Sequence, residues 1–320
     1  MRPRRISVLL AVWVALGLVG CRPADGPDRT LRVGYQKWGT YSILKASGTL
    51  EPKLAAHGYR VEWVEFPAGP PLLEAMNAGS LDLGHTGDSP PLFAQAAGVP
   101  LVYVAASSPS PDSSAVVVPA GSSIRGGAEL KGKRVGFVKG SSAHTLVVRV
   151  LEKNGLGVGD IEAVYLSPAD GRVALETGGI DAWSVWDPYL AAAEQIGTVR
   201  RAVEGRGLVE GREYYLAARS FVDSRQDIVR LFLAELTQVK GWARDRSDDV
   251  ARMLADETGI DLGAIAKAEA RRSRYDTRAI TPELVAAQQA LADRYVELGL
   301  LPKSIVVADA VPRIDFGLQE

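Results

Sequence analysis

The feature that most constrains the fold of this chain is a regular alternation of short strand-like runs with helical runs that end at glycine. Residues 31–35 and 60–66 alternate between polar and apolar side chains, which is the pattern of a half-buried strand. Residues 42–57 between them are rich in alanine and leucine and end at Gly58, a residue suited to a helix C-terminus. Because strands joined by helices run parallel, with the helices on the sheet faces, the sequence predicts an α/β fold.

The alternation occurs in two successive runs. The first run predicts further strands at residues 81–85, 101–105 and 115–118 and helices at residues 71–78 and 89–98. The second predicts strands at residues 134–138, 162–166 and 182–185 and helices at residues 143–154, 169–177 and 188–195. After residue 223 the pattern is mostly helical, with a long helix from Thr281-Pro282-Glu283 to Leu298.

Two joins between these runs, near residues 109–112 and near residues 211–216, predict two lobes linked by two crossings. We expect residues 31–110 to form the first part of lobe 1, residues 111–213 to form lobe 2, and residues 214–320 to form the second, mostly helical part of lobe 1.

The N-terminus has the pattern of an export signal. Three arginines precede a thirteen-residue apolar run, residues 8–20, which is shorter than the roughly 18–20 residues of a membrane-spanning helix. Leu18-Val19-Gly20-Cys21 then resembles the bacterial lipobox, in which the cysteine is diacylated and becomes the new N-terminus. We predict a lipoprotein signal peptide over residues 1–20, lipidation of Cys21 and a tether over residues 21–30. The alternative is a plain signal peptide cut near Gly20, with no role for the cysteine.

Charge and composition exclude several classes of function. The 320 residues include 37 lysines and arginines against 38 aspartates and glutamates. The chain therefore has no strongly basic domain that would bind nucleic acid over a broad surface. A hydrophobic content of 47% argues against intrinsic disorder. One cysteine excludes an internal disulfide, and three dispersed histidines argue against a metal site. We therefore expect neither a metal nor a cofactor.

Five predicted strand-to-helix junctions carry groups that suit an anion. They are residues 36–40, 67–69, 86–89, 139–142 and 186–188. In open α/β sheets, ligands bind at the carboxyl ends of strands, where helix N-termini point. Four junctions contain glycine and three offer hydroxyl groups, which together with backbone N–H groups suit an oxyanion. Helix capping would explain any one junction, whereas five converging junctions predict a small-anion site.

Several blocks of the sequence resemble the aliphatic sulfonate-binding proteins of ABC importers. The blocks are Arg32-Val33-Gly34-Tyr35-Gln36-Lys37 and residues 61–70, 88–98, 182–194 and 298–303. This resemblance runs from about Leu31 to Val311 and implies a type II periplasmic-binding fold, with two α/β lobes, two hinge crossings and a ligand held in the cleft. It implies a monomeric binding protein, not an enzyme, that delivers an organosulfonate to an ABC permease. The lipid on Cys21 would anchor it at the periplasmic or cell-surface face of a membrane.

The resemblance also implies which residues hold the ligand. The sulfonate is expected to contact four loops, through Gln36, Gly39, Thr40, Tyr41, Ala68, Gly69, Gly87, Asp88, Ser89, Gly140, Ser141 and Ser142. Trp186, Asp187 and Tyr214 match positions that face the cleft from the second lobe and the hinge. Because a sulfonate is ionised and only accepts hydrogen bonds, a site made of donors suffices, and neither a metal nor a titratable base is required.

The aromatic residues and Asp88 at these positions have two interpretations each. Trp38, Trp186 and Tyr214 would either cover the organic tail of the ligand or pack in the core. Asp187 is expected to cap the helix that follows it. Asp88 would either cap a helix or meet the ammonium group of an amino-sulfonate such as taurine.

Other functions and surfaces are compatible with the same sequence. The alternative ligands are taurine, nitrate and a thiamine-precursor pyrimidine, and a sensing lipoprotein without a permease is also open. Enzymes of this scaffold, such as pyrimidine synthases and hydroxymethylbilane synthase, use cysteines, and here the one cysteine is in the lipobox. Lys37 is expected at the solvated rim of the site. Arg271, Arg274 and Arg278 would form a basic face that is either solvated or docked on a permease.

Overall fold

The strand patterns of the sequence form two mixed five-stranded sheets, one in each lobe of the computed structural model, which describes residues 29–272 and 275–319. The first sheet contains β1 (Arg29–Tyr35), β2 (Tyr59–Glu65), β3 (Leu83–Thr86), β4 (Leu101–Ala106) and β10 (Tyr214–Ala218). The second contains β5 (Ser114–Pro119), β6 (Arg134–Phe137), β7 (Glu162–Tyr165), β8 (Ala182–Trp186) and β9 (Val199–Glu204). The strand orders are β2-β1-β3-β10-β4 and β7-β6-β8-β5-β9.

The two sheets share one plan. β1 pairs in parallel with β2 and β3, as β6 does with β7 and β8. β10 pairs antiparallel with β3 and β4, as β5 does with β8 and β9. β5 and β10 are the first strands after the two crossings between the lobes. Each sheet is therefore completed by a strand that arrives from the other lobe, which confirms the two-lobe α/β architecture with two crossings.

An ion-pair arrangement occurs once in each lobe. The backbone N–H and the Nη2 of Arg32 each donate to the carboxylate of Asp82 at 2.8 Å, and Nη1 donates to a nearby glycine carbonyl. Arg134 makes the same contacts with Asp181, also at 2.8 Å. The two lobes thus repeat a local structure that the sequence shows only as two separate Arg and Asp pairs.

Helices cover both faces of each sheet. They are α1 (Thr40–Ser47), α2 (Leu50–Ala55), α3 (Gly69–Asn77), α4 (Ser89–Ala96), α5 (Ser142–Lys153), α6 (Pro168–Glu176), α7 (Tyr189–Ile196), α8 (Arg219–Ser224), α9 (Gln226–Ala243), α10 (Ser247–Thr258), α11 (Leu262–Arg271) and α12 (Pro282–Glu297). The single helix predicted over residues 42–57 is wrong. Gly48 adopts the left-handed conformation, with φ at 63°, and ends α1, so a second helix begins at Leu50.

The apolar core of each lobe lies on both faces of its sheet. In the first lobe α1, α9 and α10 cover one face, and α3, α4 and α12 cover the other. α11 contributes Ile265 to the first of these two clusters, so the C-terminal helices pack with the first sheet. In the second lobe α5 covers one face, while α6 and α7 cover the other.

Three predictions concern residues at the N-terminus. The signal peptide, the lipidation of Cys21 and residues 21–28 of the tether lie outside the described residues. β1 begins at Arg29, two residues before the predicted start of the folded part. Within residues 29–272 and 275–319, none of the helices has the length and apolar character needed to cross a membrane.

Candidate ligand-binding cleft

A cavity of about 80 Å³ lies between the two lobes, at the carboxyl ends of β1, β3, β6 and β8. Open α/β sheets bind ligands at this edge, because strand ends and helix N-termini meet there. Its lining comes from both lobes and from the crossings: Gln36, Trp38, Gly69, His85, Thr86, Gly87, Pro90, Ser113, Ser114, Ser141, Ser142, Trp186, Gly211, Arg212 and Glu213.

The structure brings part of the predicted set together on this lining. The predicted residues on it are Gln36, Gly69, Gly87, Ser141, Ser142 and Trp186. Gly39, Ala68 and Gly140 are next to, or one residue from, lining residues in the chain. The other predicted residues lie outside the lining, and they are Thr40, Tyr41, Asp88, Ser89, Asp187 and Tyr214.

Thr40 and Tyr41 lie behind the first-lobe wall. Both are fully buried in the first turn of α1. The backbone N–H and the hydroxyl of Thr40 donate to Glu213 Oε2, at 3.3 and 2.9 Å. The ring of Tyr41 stacks on Tyr215 with the centroids 5.5 Å apart. These residues therefore support a lining residue and do not face the cavity themselves.

Two tryptophans form opposite walls of the cavity. Trp38 extends from the first lobe, where its Nε1 donates to Glu269 at 2.5 Å and the Arg272 guanidinium lies 4.1 Å from its ring centroid. Trp186 ends β8 in the second lobe and meets Tyr189 edge to face, with the centroids 6.2 Å apart. Each indole is held from behind by neighbours while it lines the cavity, so packing and covering a ligand are compatible roles.

Hydrogen-bond donors reach the cavity at the beginning of α5. Ser141 is the N-cap of this twelve-residue helix, and its Oγ accepts from Ala143 N at 3.2 Å. Ser142 is the first helical residue and also lines the cavity. Gly69 begins α3 on the opposite side. Ser141 N and Oγ both donate to the Val138 carbonyl, so the donors left for an anion are the backbone N–H groups of Ser142 and Gly69, at the positive ends of their helix dipoles.

The sequence analysis missed His85, Ser113, Ser114, Arg212 and Glu213, all of which line the cavity. Except for His85 on β3, these residues lie in the crossings or at the first position after one. They become neighbours of the helix N-termini only when the lobes assemble. The predicted crossing near residues 211–216 was the one signal that could have indicated Arg212 and Glu213.

Arg212 connects the two crossings. Its Nη1 donates to the Ser107 carbonyl at 2.7 Å, and its Nε pairs with Glu210 at 2.5 Å. The side chain is 12% exposed and reaches the cavity. Within the described residues, Nη2 has no hydrogen-bond partner, so this guanidinium retains a donor for a ligand.

Glu213 lines the same cavity with a negative charge. Burial would raise the pKa of this carboxyl, but the positive charges of His85, Arg272 and Lys240 outweigh burial and lower the net pKa below its ordinary value. Burial lowers the pKa of His85, whereas the facing Glu213 carboxylate acts to raise it. The carboxylate therefore remains ionised, with its charge balanced from behind the wall.

The two lobes touch beside the cavity, where α4 faces α5. A Cβ at Gly87 would overlap Ser142 Oγ, which shows how closely the lobes approach. Ser89 Oγ is buried and hydrogen-bonds the hydroxyl of Thr145 across the seam. The structure therefore shows a closed cleft.

Asp88 faces away from the cavity. Its Oδ1 accepts from Ser89 N at 2.8 Å and from Thr145 Oγ1 at 3.3 Å, so Asp88, and not Ser89, is the N-cap of α4. Burial raises the pKa of this carboxyl. It lines a second interlobe cavity of about 210 Å³, together with Arg149 and Arg212. This placement favours the helix-cap interpretation of Asp88.

Asp187 is fully buried and also turns away from the cavity. Its Oδ1 accepts from Ala191 N at 3.0 Å, which is the capping contact predicted for it. The carboxylate also pairs with Arg271 at 3.0 Å. Arg271 therefore turns inward, and the basic face expected from it is wrong at this position. Arg278 pairs with Asp276, and Arg274 lies outside the described residues.

Tyr214 lies outside the lining of the first cavity. It is 2% exposed, meets Tyr103 edge to face at 5.4 Å and lines the second cavity. Glu213, which precedes it, faces the first cavity, because neighbouring side chains on a strand point to opposite sides.

Lys37 is one-third exposed, pairs with Glu65 and lies outside the lining. Among the residues that the structure describes, no group of three or more His, Cys, Asp or Glu side chains could hold a metal ion.

Comparison with known families identifies the chain. The family model described as NMT1/THI5 like matches residues 55–247. The chain belongs to this family. An aliphatic sulfonates-binding protein of Escherichia coli (strain K12) is 39% identical over 288 residues, which are 90% of this chain and 90% of that protein. The chain therefore also belongs with the aliphatic sulfonate-binding proteins of the family.

Solved structures of relatives share the fold. The alkanesulfonate-binding protein SsuA from Xanthomonas axonopodis pv. citri, bound to MOPS, matches with a TM-score of 0.85 and 40% identity, over 91% of this chain and 100% of that chain. The periplasmic aliphatic sulphonate binding protein SsuA from Escherichia coli matches with a TM-score of 0.80 and 38% identity, over 89% of this chain and 92% of that chain. The NMT1/THI5-like chain therefore has the fold of periplasmic sulfonate-binding proteins.

The fold alone does not exclude catalysis. The desulfurization enzyme DSZB matches with a TM-score of 0.65 and 17% identity, over 90% of this chain and 97% of that chain. At this identity the likeness concerns the fold only. The relatives at about 40% identity are binding proteins.

Proposed function

We propose that the chain is a binding protein that captures a small organosulfonate between its lobes and delivers it to an ABC permease. The observation that carries this proposal is the convergence of donors from both lobes and a crossing on one cavity. The N–H of Ser142 lies at the start of α5, the N–H of Gly69 lies at the start of α3, and Arg212 reaches in from the crossing. A sulfonate has three oxygens that only accept hydrogen bonds, so donors match it without a metal or a base.

The charge of the sulfonate would be met by Arg212. Its guanidinium is held by the Ser107 carbonyl and Glu210, and Nη2 retains its donors. A fixed, partly buried guanidinium forms stronger hydrogen bonds to an oxyanion than a neutral donor does. The opposing charge of Glu213 is offset by Arg272 and Lys240 behind the wall.

The cavity has room for a small ligand. A volume of about 80 Å³ corresponds to roughly six water-sized positions, at about 10–15 Å³ each. Ethanesulfonate, with about six non-hydrogen atoms, matches this room. Trp38 and Trp186 would cover its short apolar tail. Nitrate would leave both indoles without an apolar group to cover.

The cellular role follows from the same proposal. The export signal and the similarity to periplasmic relatives support an extracytoplasmic location, with the lipid on Cys21 as the anchor. The protein would act as a monomer beside its permease. Catalysis by cysteine is not available in the cleft, since Cys21 is the one cysteine of the chain.

An amino-sulfonate such as taurine is the second candidate. Glu213 places a carboxylate on the lining of the cavity, and an ammonium group would pair with it. Glu213 thus replaces Asp88 as the residue that would select for such a ligand.

Calorimetric titration of the purified protein tests the proposal, with ethanesulfonate, taurine, sulfate, nitrate and a pyrimidine amine as ligands. We expect micromolar or tighter binding of ethanesulfonate and weak binding of sulfate. Arg212→Gln should weaken sulfonate binding about ten-fold or more. Arg206→Gln is the matched control, because Arg206 precedes the same strand, is exposed and pairs only with Asp112 among the described residues. Tight binding of another ligand, with no binding of any sulfonate, would contradict the proposal.

A further inference from the structure

We propose that Arg271 is a positioning residue for ligand capture, which ties the second-lobe wall of the cavity to the first lobe when the cleft closes. Arg271 does not line the cavity, so it would act through Asp187 and not through the ligand. This inference rests on the proposed binding function. The experiment below distinguishes its failure from a failure of that function.

The contacts of Arg271 run from one lobe to the other. Arg271 ends α11, which contributes Ile265 to the first-lobe core and also packs against α7 of the second lobe. Its Nη1 donates to both oxygens of Asp187, at 3.0 and 3.3 Å, and its Nη2 pairs with Glu194. Asp187 directly follows Trp186, and Glu194 lies on α7, which packs in the second-lobe core. One side chain, on a helix that contacts both lobes, thus holds two carboxylates of the second lobe.

Burial makes these pairs depend on closure. Asp187 is 0% exposed, and the side chains of Arg271 and Glu194 are 13% and 12% exposed. A carboxylate that loses its cation in such surroundings is strongly unfavourable, whereas hydrated charges need no partner. If the lobes move apart, water reaches all three groups. Loss of Arg271 therefore penalises the closed form more than the open form, and closure is the step that traps the ligand.

Arg272, the residue after Arg271, contacts the opposite wall of the cavity, which carries Trp38. Arg272 stacks on Trp38, with its guanidinium 4.1 Å from the ring centroid, and lies 3.9 Å from Glu213. Consecutive residues at the end of α11 therefore reach the two opposite walls of the cavity. Arg271 holds the wall that carries Trp186, and Arg272 holds the wall of Trp38. The separation of the two indoles in the closed cleft is set through this dipeptide.

The test compares Arg271→Gln with Arg201→Gln. Arg201 Nε pairs with the same Glu194 at 2.7 Å, but both residues belong to the second lobe, so this pair does not span the cleft. We expect Arg271→Gln to raise the Kd for ethanesulfonate about ten-fold or more, through faster dissociation in stopped-flow measurements. Arg201→Gln should leave the Kd within about two-fold of wild type.

A second variant separates positioning from general damage. Asp187→Asn in the Arg271→Gln background removes the unpaired buried charge and should recover part of the lost affinity. A purely structural role predicts no recovery, together with an equal fall in the unfolding temperature of the ligand-free protein. Equal losses of affinity in the Arg271 and Arg201 variants, or an unchanged Kd in Arg271→Gln, would overturn the proposal.

If wild type binds no sulfonate, small-angle X-ray scattering of the ligand-free proteins still tests whether Arg271 holds the two lobes together. In that case the proposed function fails, but Arg271→Gln should still have a larger radius of gyration than wild type and Arg201→Gln. Equal radii in the three proteins would then reject the role of Arg271 as well.

Discussion

Closure of the cleft brings Gly87 of the first lobe against Ser142 of the second, and this contact gives a sharp test of the closed form. A Cβ built at Gly87 would overlap Ser142 Oγ and lie 3.1 Å from Ser142 Cβ. The backbone of Gly87 is not in the left-handed region, so alanine fits its conformation. Gly87→Ala should therefore leave the separate lobes intact and hinder only their approach.

The expected loss of affinity in Gly87→Ala follows from the overlap of its Cβ with Ser142. Rotation of the Ser142 hydroxyl relieves part of it, and the close Cβ contact remains. Overpacking of this kind costs about 1–3 kcal/mol. If the cost falls on the closed form alone, the Kd for ethanesulfonate rises by about 5- to 150-fold. Isothermal titration calorimetry measures the change, and the thermal unfolding of the ligand-free protein should not shift.

A double-mutant cycle supplies the control. Ser142→Gly removes the obstructing side chain, so Gly87→Ala should cost much less in that background than in wild type. Gly121→Ala is the matched glycine control, since a Cβ there has no neighbour within 4 Å. An unchanged Kd in Gly87→Ala, or an equal loss with and without the Ser142 side chain, would refute the closed geometry.

Two further predictions use the cavity and the buried acid. In a titration series of straight-chain sulfonates, affinity should rise from methanesulfonate to propanesulfonate by up to about four-fold per carbon, because Trp38 and Trp186 line the cavity and would cover the first carbons of the tail. Equal affinity along the series would contradict this. Burial raises the pKa of Asp187 to about 6, so the folded protein keeps a proton that the unfolded chain loses near pH 4. From this group the free energy of unfolding falls by up to about 3 kcal/mol between about pH 4 and 6, and is flat above. Asp187→Asn should flatten that part of the thermal unfolding profile, whereas an unchanged profile would contradict the shift.

The sequence was most informative where structure depends on neighbours in the chain. The polarity patterns predicted eight of the ten strands but not β9 or β10, and the glycines after the strands indicated junctions that line the cavity, including Gly69 and Gly87. The single helix predicted over residues 42–57 was wrong, because Gly48 in the left-handed conformation ends α1 two residues before α2 begins. The sequence does not show whether a glycine inside an Ala/Leu-rich run continues the helix or ends it.

The direction of side chains at the crossings was not available from the sequence. Tyr214 was assigned to the cleft and Glu213 was not, yet Glu213 lines the first cavity and Tyr214 lines the second, because the pairing of β10 in the first sheet fixes the side to which Tyr214 points. Asp88 is a similar case. Its position beside the ligand loops suggested a contact, but its carboxylate turns to the N-terminus of α4.

By itself the sequence determined the α/β class, the two runs that become two lobes, and the strand-to-helix loops that supply donors to the cavity. These depend on short-range patterns of polarity, glycine and capping residues. Only the tertiary structure decided that Arg212 reaches the cavity and that Arg271 pairs with Asp187, 84 residues away in the chain. Such pairs arise from the packing of one lobe against the other, and no local pattern encodes a distance between residues that only folding brings together.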